Sequence, residues 1–296
     1  MHKRKPLRRW AAAAAALILL APVLAQNALV QRFTQYHAVV DWASRKVTVQ
    51  GYAPLKKGAS PAAVRRAREA ALSHARRNLI NVATVIVPIT GDQKRRTAMV
   101  NEVLKAAARA PVKETRLPDG RLQVTMVATL AGKGGLNALL ASYLRQPQVV
   151  ALLSPAELAV RGGVPPETGE EELLTPPDAK GPFTGLIVDG RGYGVQTSMS
   201  PVLYDANNKE VYAGRLADEE FAIDIGVVGY APTIKAAKAL PRVGKNPLIL
   251  RAVGSPDEFH RCLSLSEEDA RRLAEADKAS GFLKKCAVVW VVERKD

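Results

Sequence analysis

The sequence predicts an α+β protein of two small domains. Three observations carry that expectation. Apolar and polar residues alternate around 36–52 and again around 112–130, as strands with one buried face do. Between them lie two stretches of helical periodicity. A proline- and acid-rich segment then separates this block from a second one made of short apolar runs. Helices and antiparallel strands sorted this way make an α+β architecture. The 296 residues, 47% hydrophobic and 24% charged, suit two ordinary cores and exclude a disordered, collagen-like or multi-span membrane chain.

The first 25 residues read as a secretory signal peptide. Lys3, Arg4, Lys5, Arg8 and Arg9 form a basic start, and an apolar run from Trp10 to Leu20 follows. Val23-Leu24-Ala25 supplies the cleavage motif. The run is short for a transmembrane helix, which takes about 20 residues. Gln26 stands after the cleavage position, where a lipoprotein would carry an acylated cysteine. The expectation is a periplasmic or secreted chain, soluble after cleavage near Ala25.

The first domain is expected over 33–146 as β-β-α-α-β-β, two helices packed on an antiparallel sheet. Tyr36 to Trp42 and Val47 to Tyr52 flank Ala43-Ser44-Arg45-Lys46, a hairpin signal. Ser60 caps a helix whose first position is Pro61, where the missing N–H costs nothing. Val64, Ala67, Ala71, Ala75, Leu79, Val82 and Ile86 share its inner face, and the alanines permit close approach of a sheet. Arg68 falls on that apolar side and must snorkel or pair with an acid. Asp92 to Ala110 predicts a second helix, stopped by Pro111. Val112–Leu117, the turn Pro118-Asp119-Gly120 and Arg121–Leu130 predict a second hairpin. Gly134 to Leu144 predicts a short trailing helix.

Residues 161–182 hold Pro165, Pro166, Pro176, Pro177 and Pro182 with Glu170-Glu171-Glu172, and read as an extended linker. The second domain, 183–296, is expected to be mixed α+β. Thr184–Asp189 is a short buried strand, and Gly190, Gly192 and Gly194 make a bend. Pro201–Tyr204 and Glu210–Tyr212 flank a hairpin turn at 205–209. Lys235–Leu240 is helical and Pro247–Val253 a strand. Ser266 opens a helix to about Ala279, and Ala287–Val292 is a last strand whose continuous apolar run implies a central place.

The stretch Val39-Val40-Asp41-Trp42 to Gly51-Tyr52, with the Ala/Arg-rich helix ending Ala75-Arg76-Arg77-Asn78-Leu79, resembles the LPP-type (lipoprotein-twenty) family. It is similar to the N-terminal domain of flagellar assembly protein T. Thr184 to Gly192, with Pro201 and Tyr204-Asp205 to Val211-Tyr212, resembles the second half of longer exported relatives. The resemblance implies a small α+β domain of envelope- or flagellum-associated proteins, with no shared catalytic residues. The sequence departs from the lipoproteins in lacking the lipobox cysteine.

Chemistry-bearing residues are few. Cys262 and Cys286 are the only thiols; export favours a disulfide between them, against two buried thiols. A nucleophilic pair of Cys262 with His260 lacks an orienting acid. The Gly190-Arg191-Gly192-Tyr193-Gly194 bend lacks the spacing of a phosphate loop and reads as a turn. Asp189 and Arg191 beside it either pair with each other or face a ligand. No histidine or cysteine spacing indicates a metal, and neither a cofactor nor a catalytic residue is expected.

Charge is the strongest binding clue. Residues 26–160 carry 20 basic and 7 acidic groups, a net +13, whereas 161–296 carry 18 and 21, a net −3. Arg65, Arg66, Arg76 and Arg77 lie on one helix face, and Lys94-Arg95-Arg96 begin the next helix. Such a surface attracts anions whatever its fold. The reading is an exported, non-enzymatic envelope protein that binds envelope or flagellar proteins, with an anionic envelope surface as a further partner and no dedicated nucleic-acid target. Its rivals are a polyanion-binding protein and a thiol-dependent enzyme.

Overall fold

The fold was read from a computed structural model, which describes residues 29–87, 93–144, 151–167 and 169–294. The expected signal peptide lies outside the described residues. The first block runs β1 (Val30–Phe33), β2 (Ala38–Asp41), β3 (Lys46–Pro54), α1 (Pro61–Ile86), α2 (Gln93–Arg109), β4 (Val112–Arg116) and β5 (Arg121–Thr129). Its five strands pair antiparallel in the order β1-β2-β3-β5-β4. This is the expected arrangement with one extra strand. Val30-Gln31-Arg32-Phe33 is too short to display an alternation.

Local chemistry fixes each joint. Asp41 Oδ1 accepts the backbone N–H groups of Ala43 (3.0 Å) and Ser44 (2.9 Å), and Arg45 turns the chain at φ 56°. Ser60 Oγ accepts the Ala63 N–H at 3.3 Å, which caps α1 and contributes about 1 kcal/mol. The helix crosses β3 at Gly51: a Cβ there would lie 2.1 Å from the Ala71 carbonyl oxygen and 2.4 Å from the Ala75 nitrogen. The small residues of α1 and Gly51 therefore form one contact. β3 is longer than β2, so half of its edge lacks a strand partner. His74 Nδ1 accepts the Tyr52 N–H at 3.1 Å and Asn78 Nδ2 donates to the Gln50 carbonyl at 2.8 Å, filling that gap. Arg68 pairs with Glu114 of β4 at the surface, which resolves its place on the apolar side.

The trailing helix is two separate turns, α3 (Leu136–Leu139) and α4 (Ala141–Leu144), interrupted at Leu140. The stretch 161–182 is not an extended linker. A capping box at Ser154 and Glu157 starts α5 (Pro155–Arg161), whose last residue donates to the Asp257 carbonyl at 2.8 Å. Further on, Thr175 N–H donates to the Ile249 carbonyl (2.9 Å) and Thr175 Oγ1 accepts the Ile249 N–H (2.8 Å). Leu173 and Leu174 pack against the core beside them. The prolines leave few donors to satisfy, and the leucines between them supply the attachment.

The second block contains β6 (Gly185–Asp189), β7 (Val202–Tyr204), β8 (Glu210–Tyr212), α6 (Glu219–Ile225), β9 (Gly229–Ala231), α7 (Ile234–Lys238), β10 (Pro247–Arg251), β11 (Cys262–Ser264), α8 (Glu267–Ser280) and β12 (Val288–Val291). Four strands form a wholly parallel sheet in the order β10-β6-β12-β9. Its central strands, β6 and β12, are buried along their whole length, as expected for apolar runs covered on both faces. A second sheet, β11-β7-β8, contains the expected hairpin, with β11 added parallel to β7.

The two blocks share one apolar cluster. Trp42 of the first block meets Tyr230 edge-on at 5.0 Å between ring centroids, and Tyr230 meets Trp290 of β12 at 6.3 Å. Backbone bonds cross the same seam: Met199 N–H donates to the Ile86 carbonyl at 2.8 Å and Gly132 N–H to the Ile223 carbonyl at 2.9 Å.

Candidate functional site

The C-terminal ends of the parallel strands hold a buried charged knot. Asp189 closes β6, and Arg251 closes β10 beside it in register. Arg191 Nε and Nη2 donate to Asp189 Oδ1 and Oδ2, each at 2.8 Å, in a two-pronged pair. Arg191 Nη1 donates to Glu170 Oε2 at 2.9 Å. Glu170 also accepts the first N–H groups of α7, from Ile234 and Lys235, both at 3.1 Å. Asp189, Arg191 and Glu170 are 1%, 5% and 6% exposed. The carboxylates around Arg191 raise its proton affinity, Asp189 foremost. The two readings of Asp189 and Arg191 are thereby decided: they pair with each other and present nothing to solvent.

The glycine bend beside them is a turn. Gly192 and Gly194 adopt φ 89° and 65°, open to glycine without strain. Three of its amides are spent internally: Gly190 N–H donates to the Val291 carbonyl at 2.9 Å, Arg191 N–H to Asp189 Oδ1 at 3.3 Å, and Gly192 N–H to Glu293.

The expected Cys262–Cys286 disulfide is not formed; both residues are buried thiols. A helix between two strands brings its flanking cysteines together only where both strands join one sheet. Here the flanks lead to different sheets. Cys262 begins β11 in the three-stranded sheet, and Cys286 precedes β12 in the parallel one. They also sit in separate apolar clusters. Burial, with Asp257 close by, pushes the Cys262 thiol well above its ordinary range. Asp257 spends its oxygens on backbone, accepting the N–H groups of Arg261 (2.8 Å) and Cys262 (2.7 Å). His260 Nδ1 lies 2.9 Å from the Tyr193 carbonyl and serves the glycine bend. A thiol nucleophile is not assembled from these parts.

The basic surface of the first block is real but uneven. Arg65, Arg66, Arg77, Lys94 and Arg96 are exposed, whereas Arg76 and Arg95 are half-buried. Arg77 Nη1 donates to Ser73 Oγ at 3.1 Å. Next to α1, joined to it by the Arg68–Glu114 pair, runs β4. All five of its residues are exposed, and among the described residues no strand pairs with its outer edge. Among the described residues no group of three His, Cys, Asp or Glu side chains is placed to hold a metal, and no helix is long and apolar enough to cross a membrane.

Sequence reasoning missed the seam between the blocks. A cavity of about 260 Å³ lies there, lined by Trp42, Arg45, Met199, Tyr230 and Arg242 among others. Arg242 donates from Nη1 to the Val288 carbonyl (3.2 Å) and from Nη2 to the carbonyls of Gly226 (2.9 Å) and Ile225. Burial lowers its pKa to about 10. Gly229 leaves the space: a Cβ there would lie 2.8 Å from Arg242 Nη1. Only the Trp42 and Arg45 side of this cavity was visible in the sequence, as a hairpin turn.

A family model for Treponema pallidum Tp0624, second domain, matches residues 185–294. The second block is similar to that domain. The match begins at the first residue of β6 and takes in all seven strands of the block. No curated protein matches the chain.

Proposed function

We propose that this chain is an exported, non-enzymatic envelope protein that works by binding a partner protein through its first block. The observation that carries this reading is the open β4 edge, tied by the Arg68–Glu114 pair to the helix that carries the exposed arginines. An unpaired edge offers a ladder of backbone donors and acceptors to an extended partner segment. Neighbouring cations select an acidic partner and speed its approach. Lys113 and Arg116 on the strand itself discourage self-pairing, which keeps the edge available.

The setting rests on the signal-peptide pattern of residues 1–25. The LPP-type and flagellar-T-like resemblance of the first block adds an accessory role in surface or flagellar assembly. A polyanion-binding role, through the same arginines, is favoured by the net +13 of residues 26–160.

Crosslinking capture from the periplasm of the native host separates these readings. The β4 register turns the N–H groups of Val112, Glu114 and Arg116 outward, so a Glu114→Pro variant blocks the edge, and a variant with Arg65, Arg66, Arg76 and Arg77 all changed to Glu reverses the helix charge. Loss of one protein partner in both variants supports the proposal. Capture that ignores both changes contradicts it. Binding that ignores Glu114→Pro but collapses between low and moderate salt supports the polyanion reading.

A further inference from the structure

We propose that the seam cavity binds a small amphipathic oxyanion, with Arg45 and Arg242 taking its charged head and Trp42, Leu130 and Met199 its apolar body. The argument begins with charge. The cavity lining contains two arginines and no aspartate or glutamate. Neither arginine makes an ion pair with a described residue, although ten other such pairs involve described residues. The two guanidinium groups line the same cavity, and Arg45 is among the groups that lower the proton affinity of Arg242. Two like charges facing one cavity are a cost that an anion between them removes.

The donor inventory agrees. Three of the five N–H groups of Arg242 go to carbonyls, which fixes the guanidinium plane against the end of α6 and β12. The Nε–H and the second Nη1–H are left over. Arg45 is held at the cavity by its turn: its own carbonyl accepts the Leu130 N–H at 2.8 Å, and its φ of 56° is set by the hairpin. One fixed and one exposed guanidinium make a clamp for a planar or tetrahedral oxyanion.

The remaining walls fit a small apolar body. Trp42 and Tyr230 supply ring surface, and Leu130, Met199, Ile225 and Leu240 supply aliphatic surface. At about 260 Å³ the space falls below the roughly 300–1,000 Å³ of drug-sized pockets, which indicates a ligand of about one ring. Both blocks contribute to the lining, so a bound anion would also pin them together. This inference stands apart from the β4 edge and does not depend on it.

Calorimetric titration of the full chain tests it with four probes: benzoate, phenyl phosphate, inorganic phosphate and neutral benzamide. The expected result is that benzoate or phenyl phosphate binds at least about tenfold more tightly than benzamide and than inorganic phosphate. Whichever of the two binds better identifies the head group. Arg45→Gln, at an exposed position without an ion pair, keeps the fold and is expected to weaken the anion about tenfold while leaving benzamide unchanged. Equal binding of anion and amide, no binding of either organic anion at millimolar concentration, or an Arg45→Gln variant with unchanged anion affinity would overturn the proposal.

Discussion

Arg191 is buried and Arg242 half-buried in the second block, and they occupy opposite situations. Arg191 is enclosed by two carboxylates, and its proton affinity is raised. Arg242 is enclosed by carbonyl oxygens without a carboxylate, and its proton affinity falls. The first is a completed internal pair and the second a charge still lacking its counter-ion. Burial of an arginine is therefore not itself a sign of a binding site. What distinguishes the two is whether the protein supplies the opposite charge.

The sharpest way to break this comparison is to remove Arg191. Arg191→Met leaves Asp189 and Glu170 buried with their main partner gone, and should cost about 3–5 kcal/mol in chemical denaturation. Arg242→Met strands no charge and leaves only carbonyls less well satisfied. It should cost about 1–2 kcal/mol in the same measurement. Equal losses would mean that the two arginines do the same structural work.

The seam can also be probed through its tyrosines. Tyr212 hydroxyl donates to the Val227 carbonyl at 2.7 Å and Tyr230 hydroxyl to the Ser198 carbonyl at 2.8 Å, both fully buried. Burial raises both folded-state pKa values above the ordinary 10.0. The unfolded chain then gives up these protons first, so stability is intact below pH 10 and falls as pH rises beyond it. The share of tyrosinate absorbance due to these two should accordingly appear together with unfolding. Ionisation of all tyrosines in a still-folded chain would remove these two from the seam's support.

The smallest effect expected is chemical. Cys262 should resist alkylating reagents in the native chain at neutral pH and react after denaturation, because burial disfavours its thiolate. Rapid native labelling at Cys262 would restore the thiol-enzyme reading.

The first block was legible because its signals are local. Ser60-Pro61 marks a helix start, the alanine face and Gly51 mark a helix–sheet contact, and Pro118-Asp119-Gly120 marks a turn. The second block was legible where strands are continuously apolar, at Gly185–Asp189 and Val288–Val291, and where two strands flank a strong turn, at 201–212. It was illegible at β9 and α6, which have neither signal and are too short to show a period. The site fared worst, since its partners are remote. Glu170 reaches Arg191 from a stretch whose prolines and acids read as solvated, and Arg242 looks like any surface arginine until the seam closes over it. The cysteine pairing failed for the same reason, as spacing along the chain does not reveal which sheet a strand joins.

The proposal that the β4 edge receives a partner is tested most directly by hydrogen exchange on the purified complex with the captured protein. The account predicts that outward-facing amides within Val112–Arg116, fast-exchanging in the isolated chain, become strongly protected in the complex. Unchanged exchange along β4, with new protection confined to other surfaces, would contradict it.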